Sequence, residues 1–143
     1  MLRRAEDSDR DGISALLREC RLPVDGVADA LAHAVVASRG GRIVGCVAIE
    51  VYGGVGLLRS LAVSPAARGQ GLGRELTREA LRLAETLGVR DVYLLTETAR
   101  DFFPRFGFAV EDRAGAPAAL QCAVEFRSAC PASALMMHAR LTS

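Results

Sequence analysis

The feature that most constrains the fold is the stretch of residues 57–88, where a strand pattern, a glycine-rich turn and a helix pattern follow one another directly. An apolar run ends at Val63, and a Ser-Pro pair breaks it. Glycines then stand at positions 69, 71 and 73, and beyond them apolar residues recur at the spacing of an amphipathic helix. Gly88 follows the last apolar position, where a left-handed residue commonly ends a helix. The stretch therefore predicts strand, glycine loop and helix in succession.

A glycine loop that leads into a helix can bind an anion. The first amides of a helix have no intrahelical partner, the helix dipole adds partial positive charge, and glycines let a phosphate approach the backbone. Arg68 and Arg74 add full charges beside the loop. Two common phosphate loops do not fit, because a Walker A loop ends in Gly-Lys-Ser/Thr and a dinucleotide loop needs a third glycine where Arg74 stands. An ordinary glycine turn stays open at this point.

Length and composition restrict the classes of protein to which the chain can belong. Its 143 residues suit a single domain over 1–143, and its formal net charge of +1 includes no block of like charge. This balance disfavours a nucleic-acid or membrane-surface partner, and we find no membrane-spanning run and no signal-peptide core. The four cysteines include no Cys-x-x-Cys pair, which disfavours a zinc site and a disulfide framework. We expect a cytoplasmic protein without a metal.

The hydrophobic periodicity predicts elements in the order β-α-α-β-β-β-α-β-α-β-α-β. The predicted strands are 2–5, 34–38, 43–52, 55–63, 91–96, 108–111 and 134–141. Asp7 and Ser8 are the predicted N-caps of the first helix, and a short second helix is predicted over 27–31. After the central helix, one or two helical turns over 98–103 are limited by Pro104, and a further helix is predicted over 118–127.

The segment LAVSPAARGQGLG, residues 61–73, resembles the acetyl-CoA loop of the GNAT N-acetyltransferases. The predicted order of elements is similar to that of the family, with one helix added before the last strand. The segment FFPRFGF, residues 102–108, resembles the family's Phe-Tyr-x-x-x-Gly-Phe. The resemblance covers almost the whole chain. It implies an α/β (α+β) fold of the GNAT acyl-CoA N-acyltransferase type, a mixed central sheet flanked by helices, with acetyl-CoA as co-substrate.

The same resemblance implies the cofactor contacts. In the family the loop amides bind the pyrophosphate of coenzyme A, and the preceding strand pairs with the pantetheine arm. A backbone N–H of that strand points at the acetyl oxygen, and in this chain it belongs to Leu61, a preset donor for developing charge. The implied cofactor-binding residues are Leu61, Ala62, Val63, Arg68, Gly69, Gln70, Gly71, Leu72, Gly73, Arg74 and Phe103.

Two charged residues fall in the middle of predicted strands. A hairpin turned at Gly53-Gly54 places Glu50 opposite Leu57, and by alternation Leu57, Arg59 and Leu61 share the face that carries Glu50. Buried charges are rare unless paired, so the two residues either pair with each other or emerge at the open side of the sheet. The functional alternative makes Glu50 a water-linked general base and Arg59 a bidentate clamp for a carboxylate of the acceptor.

The chain departs from the family at the proton donor for the leaving thiolate. Many members have a tyrosine where this chain has Phe103, so no general acid is assigned, and water or helix amides are the alternatives. Thr96 and Glu97 end a strand that should diverge from the central one. Thr96 is a candidate acceptor contact, and Glu97 is a second candidate base, although a solvated carboxylate is the commoner outcome. Ordinary packed or surface positions are predicted for Tyr52, Tyr93, His33 and His138.

The predicted function is transfer of an acetyl group from acetyl-CoA to the amine of a small amino acid or amino-acid analogue. Segments LLRSLAV (57–63) and EFRSACP (125–131) resemble the small arsenic-resistance N-acetyltransferases and, more distantly, the acetyltransferase domain of N-acetylglutamate synthases. Rival acceptors are glutamate, a peptide N-terminus and a polyamine, the last disfavoured by the charge of Arg59. A non-catalytic acyl-CoA sensor is the rival from another class. The oligomeric state is undetermined, and a homodimer is one option.

Overall fold

The computed structural model describes residues 2–97, 99–123 and 134–141. The strands in these residues are β1 (Leu2–Arg4), β2 (Ala34–Arg39), β3 (Arg42–Tyr52), β4 (Val55–Val63), β5 (Asp91–Thr96), β6 (Ala109–Glu111) and β7 (Leu135–Arg140). The α-helices are α1 (Arg10–Glu19), α2 (Val27–Ala30) and α3 (Leu72–Thr86). Each predicted strand is present, with ends that differ by one or two residues at most.

The strands form one sheet in the order β1-β2-β3-β4-β5-β7-β6. Neighbouring strands are antiparallel except β4 and β5, which are parallel. A parallel pair needs a long crossover, and α3 supplies it between β4 and β5. The predicted mixed sheet flanked by helices is confirmed.

The helix α3 packs on one face of the sheet through its apolar stripe. Leu72, Leu76, Ala80 and Ala84 are buried there, in the core that also contains Leu58 of β4. The approach to β3 is close, since a Cβ at Gly45 would lie 2.8 Å from Leu76 Cδ1. Gly45 therefore lets the N-terminal half of α3 lie directly on the sheet, which fixes the start of the helix near the end of β4.

The helices α1 and α2 cover the other face. Buried apolar residues of these helices contact Cys46 of β3 and Ala62 of β4. The predicted N-caps Asp7 and Ser8 are wrong, because a 3-10 turn (Asp7–Asp9) precedes α1, which begins at Arg10. Asp9 orders this turn instead. Its carboxylate pairs with Arg3 at 2.7 Å and accepts a hydrogen bond from the amide of Glu6 at 2.8 Å, and these two contacts lower the pKa of Asp9 to about 2.

The β3–β4 hairpin has the predicted register at its turn and a bulge further along. Glu50 pairs with Leu57, as predicted. Ala48 then pairs with Arg59 and Cys46 with Ala62, so β4 has an extra residue, and Ser60 within it has a φ of 61°. The extra residue reverses the alternation of side chains along β4.

The bulge corrects one prediction about β4. Leu61 packs with the core under α3, while Ala62 packs under α1. Arg59 points to the α1–α2 face, where it contacts Asp25. Leu61 therefore lies on the face opposite to Arg59, and the prediction that they share a face is wrong.

Two predicted helices differ from the structure. A 3-10 turn spans Phe103–Phe106 with Pro104 in its first turn, because the fixed φ of proline suits a helix start, so Pro104 does not limit a turn over 98–103. Thr98 itself lies outside the described residues. The described part of the predicted helix over 118–127 is a 3-10 turn, Ala118–Cys122, followed by Ala123 in an extended conformation.

Residues 124–133, which include the segment EFRSACP, also lie outside the described residues. In the part of the chain that the structure describes, no helix is long and apolar enough to cross a membrane.

Candidate active site

A cleft opens where β4 and β5 separate. The two strands pair only at residues 55–57 and 91–93 among the described residues, and beyond Leu57 they leave a cleft of about 240 Å³. Residues 58–63 of β4 form one wall and residues 94–96 of β5 form the other, while Cys20 and Phe103 also line it. The predicted divergence of these strands is confirmed. A cleft with one wall of strand backbone suits a ligand that carries amide groups.

The β4 wall contains the three strand residues that were assigned to the cofactor. Ala62 has its side chain buried, and Leu61 and Val63 are partly buried. Beyond Leu57, β5 is not the ladder partner of β4 in the described register, so this backbone edge faces the cleft. The thiol of Cys46 donates to the carbonyl of Ser60 at 3.1 Å, and burial raises the pKa of this thiol to about 12. The thiol thus stays protonated and supports the bulge from the β3 side.

The glycine loop lies at the end of β4 and leads into α3. Gly69 and Gly71 have φ values of 81° and 80°, which glycine adopts without strain, and Gly71 is the residue before α3. Apart from each glycine and its two chain neighbours, no described residue has an atom within 4 Å of where a Cβ would stand at either position. The space above the loop is therefore open to a ligand, beside the first amides of a 15-residue helix.

The other loop residues contribute in different ways. Arg68, Gln70 and Arg74 are exposed. Arg68 reaches back over the cleft, where its Nε donates to the carbonyl of Val63 at 3.0 Å. Leu72 is buried in the core, so only its backbone can contact a ligand, and Gly73 accepts a hydrogen bond from Thr77 Oγ1 at 2.8 Å. The loop thus offers two guanidinium groups and a helix N-terminus to an anion.

Glu50 and Arg59 pair with each other, which is the first of the alternatives that the sequence left open. Arg59 Nη1 lies 2.8 Å from Glu50 Oε2, and the Arg59 side chain is 0% exposed while that of Glu50 is 16% exposed. The other carboxylate oxygen of Glu50 accepts a hydrogen bond from the hydroxyl of Tyr52. Arg59 also donates to Ser60 Oγ and to the carbonyl of Asp25. The pair is part of a network on the α1–α2 face.

A second cavity of about 330 Å³ adjoins this network. It is bounded by the start of α2 and by β3, and its lining includes Asp29, His33, Glu50 and Tyr52. Glu50 lines this cavity, and its partner Arg59 lines the cleft between β4 and β5. The Glu50–Arg59 pair therefore links the two cavities.

Of the remaining candidates, Thr96 and Phe103 line the cleft, and Glu97 lies just beyond the end of β5. Thr96 Oγ1 accepts a hydrogen bond from the amide of Ala99 at 3.0 Å. Glu97 is exposed. Phe103 is buried, and its ring meets those of Phe102 and Phe108 edge-on at centroid distances of 5.1 and 5.7 Å. Phe103 thus gives the cleft an apolar wall.

The sequence missed three members of the network. Tyr52 was assigned to packing, yet its hydroxyl contacts Glu50, and their spacing of two along one strand is a signal that places both on one face. The contact of Arg59 with the carbonyl of Asp25 joins residues 34 positions apart and has no sequence signal. The left-handed conformation of Ser60 has none either, because it arises from the bulge.

Comparisons with known proteins agree with this geometry. A family model described as an acetyltransferase (GNAT) domain matches residues 30–110. An amino-acid acetyltransferase of Mycobacterium tuberculosis is 40% identical over 70 residues, which is 48% of this chain and 39% of that protein. The chain spans about two fifths to just over half of the length of the curated relatives it matches.

Two solved structures are similar along most of their length. The structure of Rv2747 from Mycobacterium tuberculosis, in complex with CoA, superposes over 99% of this chain and 99% of its own, with a TM-score of 0.81 and 24% identity. A GNAT family acetyltransferase from Brucella melitensis, in complex with acetyl-CoA, covers 76% of this chain and 82% of that one, with a TM-score of 0.63 and 28% identity.

Proposed function

The chain belongs to the GNAT acetyltransferase family, and from that membership we propose that it transfers the acetyl group of acetyl-CoA to the amine of a small amino acid or amino-acid analogue. The observation that carries the proposal is the cleft between β4 and β5, which has strand backbone on one wall and ends at the glycine loop before α3. Two similar structures contain CoA or acetyl-CoA.

The residues of the cleft fit the parts of this ligand. The amides at the start of α3, with Arg68 and Arg74, would hold the pyrophosphate, because the loop is open and positively charged. Residues 61–63 of β4 would pair with the pantetheine arm, and Phe103 would contact it. Acetyl-CoA supplies an activated acyl group. The amide of Leu61 would donate to the acyl oxygen, where negative charge develops.

On the α1–α2 face of the sheet, Glu50 would accept the proton of the acceptor amine through a water molecule. The carboxylate lines the second cavity, is partly exposed and is held by Tyr52 and Arg59, so its position is fixed before the acceptor binds. Thr96 would contact the acceptor from the cleft wall.

The acceptor class rests on the relative named as an amino-acid acetyltransferase. We include phosphinate and arsinate analogues among the acceptors, because the sequence of β4 resembles the arsenic-resistance N-acetyltransferases. The acceptor site would extend from the second cavity, beside Glu50, to the cleft wall that carries Thr96.

Thiol release from acetyl-CoA, measured with a panel of acceptors, tests the proposal. The panel contains amino acids, their decarboxylated amines, phosphinate and arsinate analogues, a short peptide and a polyamine. We expect release with an amino acid or an analogue and none with its N-acetylated form. If calorimetry shows that acetyl-CoA binds but no acceptor causes release of the thiol, the result would favour the non-catalytic acyl-CoA sensor. The absence of binding would overturn the cofactor assignment.

A further inference from the structure

Arg59 joins three parts of the chain through one buried guanidinium. Its Nη1 donates to Glu50 Oε2 at 2.8 Å, and its Nε donates to Ser60 Oγ at 3.0 Å. Its Nη2 donates to the backbone carbonyl of Asp25 in the connection between α1 and α2. The residue is 2% exposed. Strand β3, the bulge of β4 and the α1–α2 connection therefore meet at one planar group.

The contact with Ser60 matters because Ser60 has an unfavourable backbone conformation. A φ of 61° is uncommon for a residue with a side chain and persists only where its surroundings hold it. Arg59 holds the Ser60 hydroxyl, and the Cys46 thiol holds its carbonyl. The conformation of Ser60 in turn sets the direction of the Leu61 backbone, on the cleft wall.

We propose that Arg59 is a positioning residue that holds the bulge at Ser60 and ties the α1–α2 connection to it. The catalytic consequence rests on the proposed function: the bulge aims the amide of Leu61, and the connection borders the acceptor cavity through Gly26. Each of the three guanidinium nitrogens already donates to a protein oxygen. The Arg59 side chain is 0% exposed, so a clamp on the carboxylate of the acceptor would need the groups around Arg59 to move aside, whereas positioning needs these contacts intact.

A double-mutant cycle measured by enzyme kinetics distinguishes a positioning role of Arg59 from a clamp on the acceptor. Lysine keeps the charge but lacks the planar fork, so Arg59→Lys should lower kcat about tenfold with little change in the KM for acetyl-CoA. Glycine adopts a positive φ without strain, so in a chain with Ser60→Gly the same substitution should lower kcat less than about threefold. A clamp predicts instead an equal rise in the acceptor KM in both backgrounds, and that result would overturn the proposal.

Hydrogen exchange tests the same contacts without any turnover, so it stays decisive if the acetyltransferase proposal fails. In Arg59→Lys we expect the amides of residues 58–62 and those of 22–27, apart from Pro23, to exchange about tenfold faster or more. Ser60→Gly should reverse the change in 58–62 and leave that in 22–27. Arg82→Lys, on the exposed side of α3, is the matched control and should alter neither segment.

A second variant covers the case in which Arg59→Lys does not fold. The double change Glu50→Gln with Arg59→Gln leaves no buried unpaired charge and still removes the fork. It should show the faster exchange in both segments. Unchanged exchange in both segments of the folded variant would show that Arg59 does not hold them.

Discussion

Glu50 is held between a phenol and a guanidinium, and this arrangement decides what it can do. One oxygen accepts from Tyr52 and the other from Arg59, so the carboxylate has a fixed orientation. It is nevertheless 16% exposed, and it lines the second cavity rather than the closed core. A water molecule in that cavity could bond to Glu50 and to an acceptor amine together, which is the role proposed for it.

Replacing Glu50 with glutamine tests that role. Glu50→Gln keeps the shape and a hydrogen-bond acceptor for Arg59 but cannot take a proton at neutral pH. We expect kcat to fall about a hundredfold, the acid-side fall of the pH–rate profile to disappear, and the affinity for acetyl-CoA to stay the same. The control is Asp29→Asn, which removes another carboxylate of the same cavity and should retain the acid-side fall. A profile that is unaltered in Glu50→Gln would assign the proton to water or to Glu97.

At the residue scale, the sequence predicts which side chains lie opposite each other where the strand register is regular. The position of Gly53-Gly54 fixed Glu50 opposite Leu57, and the pairing of Glu50 with Arg59 follows from it. The alternation rule then fails at Leu61, because it assumes a regular ladder and the bulge adds one residue. A bulge held by a guanidinium and a thiol depends on contacts across the fold, which local sequence patterns do not contain.

At the scale of elements, the start of α3 combines a helix N-terminus with an open glycine loop. The helix is 15 residues long, and it is anchored by the fully buried Leu76, so its first turn is held in place beside the cleft. Gly71 precedes that turn with a left-handed conformation that asparagine and aspartate tolerate better than most other residues. Replacing Gly71 with aspartate and with asparagine can therefore separate the effect of charge from the effect of shape.

Gly71→Asp and Gly71→Asn should differ in their affinity for acetyl-CoA. Both add similar bulk and similar backbone strain, but aspartate adds a negative charge where the pyrophosphate would bind. We expect calorimetry to show binding weaker by about tenfold or more in the aspartate variant than in the asparagine variant. Gly88→Asp places the same change after the end of α3 and should bind acetyl-CoA like the wild type. Equal affinities in the two Gly71 variants would contradict an anion site at this loop.

The strand β7 carries a histidine that contacts two carboxylates, remote from the glycine loop. The ring nitrogens of His138 lie 2.6 Å from Glu111 of β6 and 2.8 Å from Asp91 of β5, and the ring stacks on Tyr93. Burial alone would lower the pKa of His138, but the two carboxylates outweigh it, so the pKa lies above its ordinary value. Of the packed or surface positions that the sequence predicts for His138, the structure shows the packed one, and the ring links three strands.

This linkage predicts how stability changes with pH. Because the folded-state pKa of His138 is raised, its contribution is fully present below the ordinary histidine pKa of about 6.5 and is lost as pH rises through the folded value. Urea unfolding from about pH 5.5 to about pH 9 should therefore show the wild type losing its advantage over His138→Gln as pH rises. A constant difference between the two proteins over that range would mean that the charge of His138 does not stabilise the sheet.

Elements were predictable where one strong signal acts locally. The strands and α3 follow from periodicity, and their ends differ by a residue or two. Pro104 shows the limit: proline both ends a preceding helix and suits the start of the next, and the packing of the Phe103 ring with those of Phe102 and Phe108 favours the second outcome. The short turn Ala118–Cys122 was predicted as a longer helix because its alanines favour helix formation.

At the scale of the whole molecule, one sheet separates two apolar layers. Leu76 lies in the core under α3, while both tyrosines of the chain, Tyr52 and Tyr93, belong to a cluster on the opposite face. The layers share β3, β4 and β5, so neither can unfold without exposing the other. This sharing predicts that the chain behaves as a single domain, the organisation expected from its length.

A cavity created in one layer should therefore destabilise the other layer as well. Leu76 is fully buried, so Leu76→Ala should lower the free energy of unfolding by about 2–5 kcal/mol. Far-UV circular dichroism follows the whole backbone, and tyrosine fluorescence follows the face opposite to the substitution, undisturbed by tryptophan, which the chain lacks. In a single cooperative unit both signals shift to the same lower urea midpoint, with an unchanged slope. The control is Leu87→Ala, at an exposed position just after α3, which should move neither midpoint appreciably. If the tyrosine transition of Leu76→Ala stays at the wild-type midpoint while the dichroism shifts, the two layers unfold separately.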